Sequence, residues 1–506
     1  MQHGEPKTMK RISIAIVFSF TLFYTGSSFS QSIKWSAPLS DDKKFPFLRI
    51  LGSTDEGYFL LRSNITFGND NNRWGFRTRK YLLQLMGEDL RLKFSRPLTI
   101  GCEDCRIADV GIVGSQVAIL YSSFDKQKKL LQLYIQKLGS DGNLSGNTVL
   151  VIETPALKFD EDNQPDLIYS HDENLVACAM RSVSKENEDQ LYSTAIFDTA
   201  LTVVGRKEFR VPVKAKLFGP ITSVLSDEGN FYLLGIEFRT EKRVKNPGES
   251  FYKLISYNLK KDEVSQNEIK LENRFLTDVA ISADNLNRKI VVSGFYSDMT
   301  AYTTSGVFYY SLSEDSLLQT PVVTSSFSQD FLRKLVKEGR SNDNELVNYS
   351  IDRSVIRKDG GAAIVAESFN IATRSYWDYY LQTWVYHYYY HYGNIIALSI
   401  NPDGTLLWSN SIQKDQNSTD DGGYYSSYFS AIIEGKILNI YNKYIADNSS
   451  VLMTTISGVG EQQTKILFEE SMNASVIPHS AKQVDEDTIL MPAERDGEPY
   501  LVKIGF

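Results

Sequence analysis

The sequence predicts an all-β chain built from small antiparallel sheets repeated along its length, and three observations carry that reading. Tyrosine (29) and phenylalanine (27) are abundant while proline is scarce (14), a composition that favours strands over disorder. Stretches in which apolar and polar residues alternate are joined by short turn-forming runs, as β-hairpins require. These hairpins recur from one end of the chain to the other. At 506 residues the chain exceeds the size at which one compact core stops growing. A repeat array resolves that, because its core lengthens without thickening.

Two kinds of hairpin alternate. The first begins at Phe47 with "FLRILGSTDEGYFLLRS" and returns at Ile107, Leu167, Ile221, Asp278, Arg353, Ser430 and Ala481, eight in all. The second begins at Tyr81, Leu130, Tyr192, Tyr252, Val307, Ile396 and Val451. Its clearest copy is "IALSINPDGTLLWSNSI", with Asn-Pro-Asp-Gly as the turn. One hairpin of each kind makes a four-strand unit, and the units follow one another at roughly 50 to 80 residues. Four-stranded antiparallel sheets repeated around an axis form a β-propeller. The expected fold is therefore an eight-bladed β-propeller, one domain over 31–506, with insertions at 325–348 and 370–394. Seven blades with an irregular terminal piece is the alternative. The eighth unit ends after "PYLVKIGF" without an outer strand, while "SIKWSAPL" (32–39) has no partner of its own. This N-terminal strand is expected to complete the last blade and leave no free sheet edge.

Residues 1–30 read as a secretory signal. Lys10 and Arg11 precede the apolar run "ISIAIVFSFTLFY", and "SSFS" supplies small residues before Gln31. The expected location is exported: periplasm, cell surface or extracellular space, with an uncleaved anchor as the alternative. No later segment is apolar enough to cross a bilayer. A net charge of −8 implies no basic face for nucleic acid. The protein is expected as a monomer or as part of an envelope complex.

The turns "NPDGTLLWS" and "RKDGGAAIVAES", together with a leader ending before Gln31, resemble exported β-propeller repeat proteins of Bacteroidota that carry "xxDGxxxW" turns. The resemblance implies the architecture over most of the chain and no assigned reaction. Units three and seven depart from it by lacking the Asp-Gly turn.

Propeller topology also sorts the loops. Those inside each hairpin share one face and are short: "STDEG", "SHDEN", "KDGG". The loops on the other face include the long segments 63–78, 240–250, 325–348, 370–394 and 414–424, so binding is expected there. Within "NIATRSYWDYYLQTWVYHYYYHYGN" (370–394), Tyr376, Trp377, Tyr379, Tyr380 and Trp384 are candidate stacking planes for a protein or glycan partner. Tyr424 and Tyr425 belong to the same candidate surface. In the competing reading these aromatics cover neighbouring blades or lengthen their strands. The segment 325–348 predicts a short helix with Ser328 as N-cap and Phe331, Leu332 and Val336 on one side, placed to cover the axial channel.

Reactive residues are few. Cys102 and Cys105 in "GCEDC" predict a structural disulfide, because strands flank the motif and one CxxC supplies only half a zinc site. Cys178 predicts a buried thiol. His387 and His391 have a spacing that suits a metal on a helix, but on a strand it separates them by roughly 13 Å, so no metal site is expected. Asp420 and Asp421 read as a polar loop, with calcium as the alternative. No catalytic set, phosphate loop or nucleophile elbow is found, and no cofactor is expected. The function expected is a binding or scaffold protein. A carbohydrate-active enzyme (glycoside hydrolase or lyase) is one alternative, with Glu367, Asp378, Asp420 and Asp421 as the nearest carboxylates. An accessory subunit of an outer-membrane machine is another.

Overall fold

The structure, a computed structural model, describes residues 31–39, 44–64, 80–102, 105–156, 165–183, 189–271, 273–315, 319–335, 345–446 and 449–506. The leader, the loop 65–78, Val336 and the middle of the 325–348 insertion lie outside the described residues.

Eight sheets of four or five antiparallel strands follow one another along the chain. The first runs Phe47–Thr54, Gly57–Ser63, Tyr81–Met86 and Leu92–Leu98 in spatial order. A separate two-stranded pairing joins Thr303–Thr304 to Leu346–Val347. Successive residues of a strand point to opposite sides, and here each side meets a different neighbouring sheet. In the strand Leu175–Val183, Val176, Cys178 and Met180 pack on the second sheet, while Ala177 and Ala179 pack on the fourth. Apolar clusters of this kind link every sheet to the next. An eighth cluster sets Leu48, Ile50, Tyr58 and Leu60 against Leu490 and Leu501, so the last sheet packs on the first. The result is a ring of sheets, a β-propeller.

The first strands of the sheets lie innermost, where neighbours such as Phe47–Thr54 and Cys105–Val113 meet. Five of them skip one residue of register at the same point, at Leu51, Ala108, Ile221, Thr277 and Asp352. A bulge there bends the strand and re-aims the residues beside it. In two sheets the next residue is an aspartate that stitches adjacent blades. Asp109 Oδ2 accepts the Leu167 backbone N–H (3.0 Å), and Asp278 Oδ2 accepts that of Ile351 (2.7 Å). At the opposite end the short turns are stitched as well: Asp227 Oδ1 accepts the Asp172 N–H, and Asn285 Oδ1 accepts the Asp227 N–H.

The N-terminal strand Ser32–Trp35 pairs with Glu498–Gly505, from Ser32 opposite Gly505 to Trp35 opposite Val502. Backbone bonds from Ser36 to Leu501 (2.9 Å) and from Leu39 to Pro499 (2.7 Å) extend the latch. The Trp35 ring lies 5.1 Å from that of Phe468 and 5.6 Å from that of Tyr500.

Two expectations need correction. The helix Gln329–Leu335 forms, and Ser328 Oγ accepts the Phe331 N–H (3.2 Å), but it does not cover the axis. Buried Phe331 and Leu332 seat it in the cluster between the fifth and sixth sheets, beside the outermost strand Leu406–Ile412. Apolar residues that the sheets leave uncovered at the rim decide its place. The eighth sheet begins earlier than Ala481, because its inner strand is broken into Ala474–Val476 and Lys482–Gln483 by a 3₁₀ turn at Pro478–Ser480. Proline cannot donate to a ladder, so the break falls there.

Candidate functional site

The sixth sheet carries the feature that distinguishes this ring. Its two central strands, Ala362–Asp378 and Thr383–Ile400, run far beyond the core as a paired arm. A register shift between Glu367 and Phe369 marks where they leave it. Inside that point Ile364, Ala366, Ile396 and Leu398 are fully buried; outside it nearly every residue is open to solvent. A short strand, Gln416–Thr419, pairs with Tyr389–Tyr392 and widens the root of the arm. Among the described residues the outer part, 370–378, has no other strand partner.

Cross-strand neighbours lie on the same side of the ladder. One side therefore presents Trp377, Trp384, Tyr386 and Tyr388, and the other Tyr376, Arg374, His387 and Tyr389. Trp377 and Trp384 stand directly opposite and meet edge to face at 5.8 Å; Tyr376 stacks on His387 at 5.7 Å, and Arg374 lies over Tyr389 at 5.2 Å. Asp378 Oδ1 accepts the Tyr380 and Leu381 N–H groups and closes the tip, which leaves Tyr379 84% and Tyr380 100% exposed. The arm aromatics do lengthen strands, as the competing reading held, and among the described residues they stand exposed.

His387 and His391 share one side of the strand and are held by separate partners, Asp420 (2.6 Å) and Asn417 (2.8 Å). Asp420 also accepts the Tyr388 N–H, and that bond, followed by the contact with His387, holds its carboxyl below the ordinary range. Among the described residues no group of three metal-ligating side chains is found. Asp421 caps its own loop, accepting from Ser418 Oγ and the Gly423 N–H.

The root of the arm is fixed by a buried ion pair that sequence reasoning missed. Lys414, its side chain fully buried, sits 2.6 Å from Glu367 Oε1 and donates to Gln416 Oε1 (2.9 Å) and the Tyr392 carbonyl (3.3 Å). Ser427 Oγ donates to the other oxygen of Glu367 (2.6 Å). Burial pushes the Glu367 carboxyl up and the Lys414 ammonium down from their ordinary values. Nearby, Asp352 sits at its strand's bulge, exposed to solvent, and accepts the Tyr428 hydroxyl (2.7 Å). The protein atoms crowded around it, and then the like charges of Glu367 and Asp278, push its carboxyl up to about 7 despite that exposure.

Of the residues singled out from sequence, Tyr376, Trp377, Tyr379, Tyr380 and Trp384 lie together on the arm. Tyr424 and Tyr425 do not join them. Their rings meet edge to face at 4.9 Å, and the Tyr425 hydroxyl donates to Glu494 in a cleft of about 320 Å³ that Asp421, Tyr444 and Asp496 also line. Glu367 is locked in its ion pair and Asp378 in its turn. Tyr386 and Tyr388, exposed by 50% and 41%, belong to the arm and were signalled by the two-residue spacing in "WVYHYYYHY". Cys102 and Cys105 form a disulfide with Cα atoms 5.3 Å apart, at the start of the second sheet. Cys178 is free and buried, and burial lifts its thiol to about 12.

No family model matches this chain, and no curated protein matches it. Among solved structures it is similar to the WD40 domain of SCAP from fission yeast, at 10% identity over 94% of this chain and 98% of that one, with a TM-score of 0.39. It is also similar to the β-propeller domain of the Trilobed protease from Pyrococcus furiosus (10% identity, 85% and 98% covered, TM-score 0.35). The polysaccharide lyase Uly1 is a third (10% identity, 91% and 99%, TM-score 0.35).

Proposed function

We propose that this chain is an exported binding protein whose aromatic arm docks a protein or glycan partner on the elaborated face. The observation that carries the reading is the exposure of Tyr380 (100%), Tyr379 (84%), Leu381 (69%), Trp384 (53%) and Tyr386 (50%) on one projection. Soluble monomers rarely leave contiguous apolar surface of this kind uncovered, and where it occurs it marks an interaction site. Aromatic rings on a short hairpin offer large contact area at little cost in side-chain entropy, and ring faces also stack on sugars. The leader text and the Cys102–Cys105 disulfide support an oxidising, exported setting. The single "xxDGxxxW" turn, at 401–408, supports membership among the exported repeat proteins of Bacteroidota. Docking on an outer-membrane machine is one form the partner takes.

The test compares the wild-type chain with a Trp384→Ala/Tyr386→Ala variant in envelope-extract pull-downs and on glycan arrays. The expected result is a partner or glycan bound by the wild type and weakened about tenfold or more in the variant, as for central aromatic anchors. Empty pull-downs with flat arrays would sink the proposal.

A second reading has one observation in its favour. Asp352, raised to about 7 and bonded to Tyr428, is suited to proton transfer near neutral pH. If the ring acts on a polysaccharide there, Asp352→Asn abolishes turnover while the arm double variant leaves it intact; equal turnover in Asp352→Asn rejects this reading.

A further inference from the structure

The two strands of the arm differ at their outer edges. Over 370–378 the first strand pairs on one side only, with 383–391, and among the described residues no strand lies along its other edge. The second strand is better covered. Gln416–Thr419 pairs with 389–392, and the Tyr388 carbonyl accepts the Asp420 N–H (2.9 Å). An uncovered edge presents a row of backbone N–H and C=O groups, which folded proteins usually blunt with lysine, proline or a bulge. The stretch "NIATRSYWD" (370–378) contains neither residue, and its ladder has no register shift. Residues 370–377 are all exposed.

The charges of this edge complement one another. Arg374 and Asp378 are its only ionic residues, and they lie on one side of the ladder with Tyr376 between them. Arg374 lies over the Tyr389 ring and has no carboxylate partner among the described residues. Asp378 closes its turn through Oδ1 alone. Antiparallel pairing of two copies about a twofold axis at Tyr376 sets Arg374 of each opposite Asp378 of the other, and Ser375 opposite Trp377. An axis at Arg374 or at Asp378 would set like charges together, so charge selects one register. The paired stretch, 374–378, is roughly 16 Å long, and roughly 20 Å of arm separates it from each core, so the two rings of sheets do not meet.

We propose that this edge pairs with the same edge of a second copy of the chain, which joins two arms into one four-stranded sheet and makes a twofold dimer. The contact goes beyond the partner reading, because it uses the backbone edge and leaves Trp384 and Tyr386 open on the second strand. Sedimentation velocity of the purified full chain, without extract or glycan, tests it, and a concentration-dependent dimer is expected. Arg374→Asp is expected to weaken it about tenfold, as two cross-strand pairs pass from attraction to repulsion, whereas Arg374→Lys keeps the charge and the dimer. Tyr376→Cys, on the axis, is expected to give a disulfide-linked dimer on mild oxidation, because facing Cβ atoms come within disulfide reach; Ala372→Cys, away from the axis, is expected to give none. The native free thiol, Cys178, is buried and does not compete. A monomer at hundreds of micromolar, a dimer unchanged by Arg374→Asp, or equal cross-linking at 372 and 376 would each overturn the proposal, and each would leave the protein or glycan reading standing.

Discussion

At the scale of single residues, the buried Lys414–Glu367 pair and the exposed Asp352 dominate. Removing the ammonium of Lys414 leaves Glu367 charged and enclosed, so Lys414→Met is expected to cost about 3–5 kcal/mol of folding stability. The double variant Lys414→Met/Glu367→Gln is expected to recover part of that loss, which denaturant unfolding measures directly. Asp352 acts through pH. Its folded pKa, about 7, lies above that of an unfolded aspartate, so between about pH 4 and 7 the folded state holds a proton that the unfolded state has released. Stability is therefore expected to fall as pH rises across that window. Asp352→Asn should flatten the slope and raise Tm at pH 8; an unchanged slope refutes the assignment. Neither residue was legible as such. Lys414 and Glu367 lie on distant segments, and a lone lysine or aspartate carries no trace of the enclosure that tertiary packing gives it. At Gly57 the requirement is local. With φ at 128°, a Cβ there would stand 2.1 Å from the Met86 carbonyl oxygen, which is why "STDEG" ends in glycine.

At the scale of elements, the hairpins were legible because period-two alternation and turn chemistry both act locally. The latch strand Ser32–Trp35 was legible for another reason: a closed ring leaves one vacancy, and "SIKWSAPL" was the segment without a partner. The arm was only half legible. Alternation shows that a segment is a strand, but a strand that stays in a sheet and one that leaves it read alike. The helix at Gln329–Leu335 was found with its cap, but its place was not, because amphipathicity identifies a buried side without naming what buries it. The arm should be energetically separate from the ring. Trp384→Ala/Tyr386→Ala is expected to shift global stability by less than about 1 kcal/mol, since each aromatic pair on a ladder is worth about that much or less. A larger loss in thermal unfolding would mean that the arm supports the core.

At the scale of the whole molecule, stability rests on a cycle of interfaces, with no single centre. Each sheet is buried on both sides by its neighbours, so loss of one contact exposes two. Deleting residues 31–39 uncovers the strand Glu498–Gly505 as a free edge and removes Trp35 from its rings. The deleted chain is expected to lose about 1–3 kcal/mol, because Trp35 is half-buried and falls short of the roughly 3 kcal/mol of a fully buried tryptophan, and to associate through that edge. Light scattering and thermal unfolding report the two effects; an unchanged assembly state with unchanged Tm would show the latch to be dispensable.

The latch has one more consequence. Because residues 32 and 505 are opposite one another on adjacent strands, a tight peptide linker between them would turn the molecule into a seamless loop with no preferred beginning. New termini cut into an exposed short turn, such as the one at Leu286 (72% exposed), would then yield a circular permutant with the same architecture. In it the strand that now closes the ring would be an interior member, made and paired midway through synthesis.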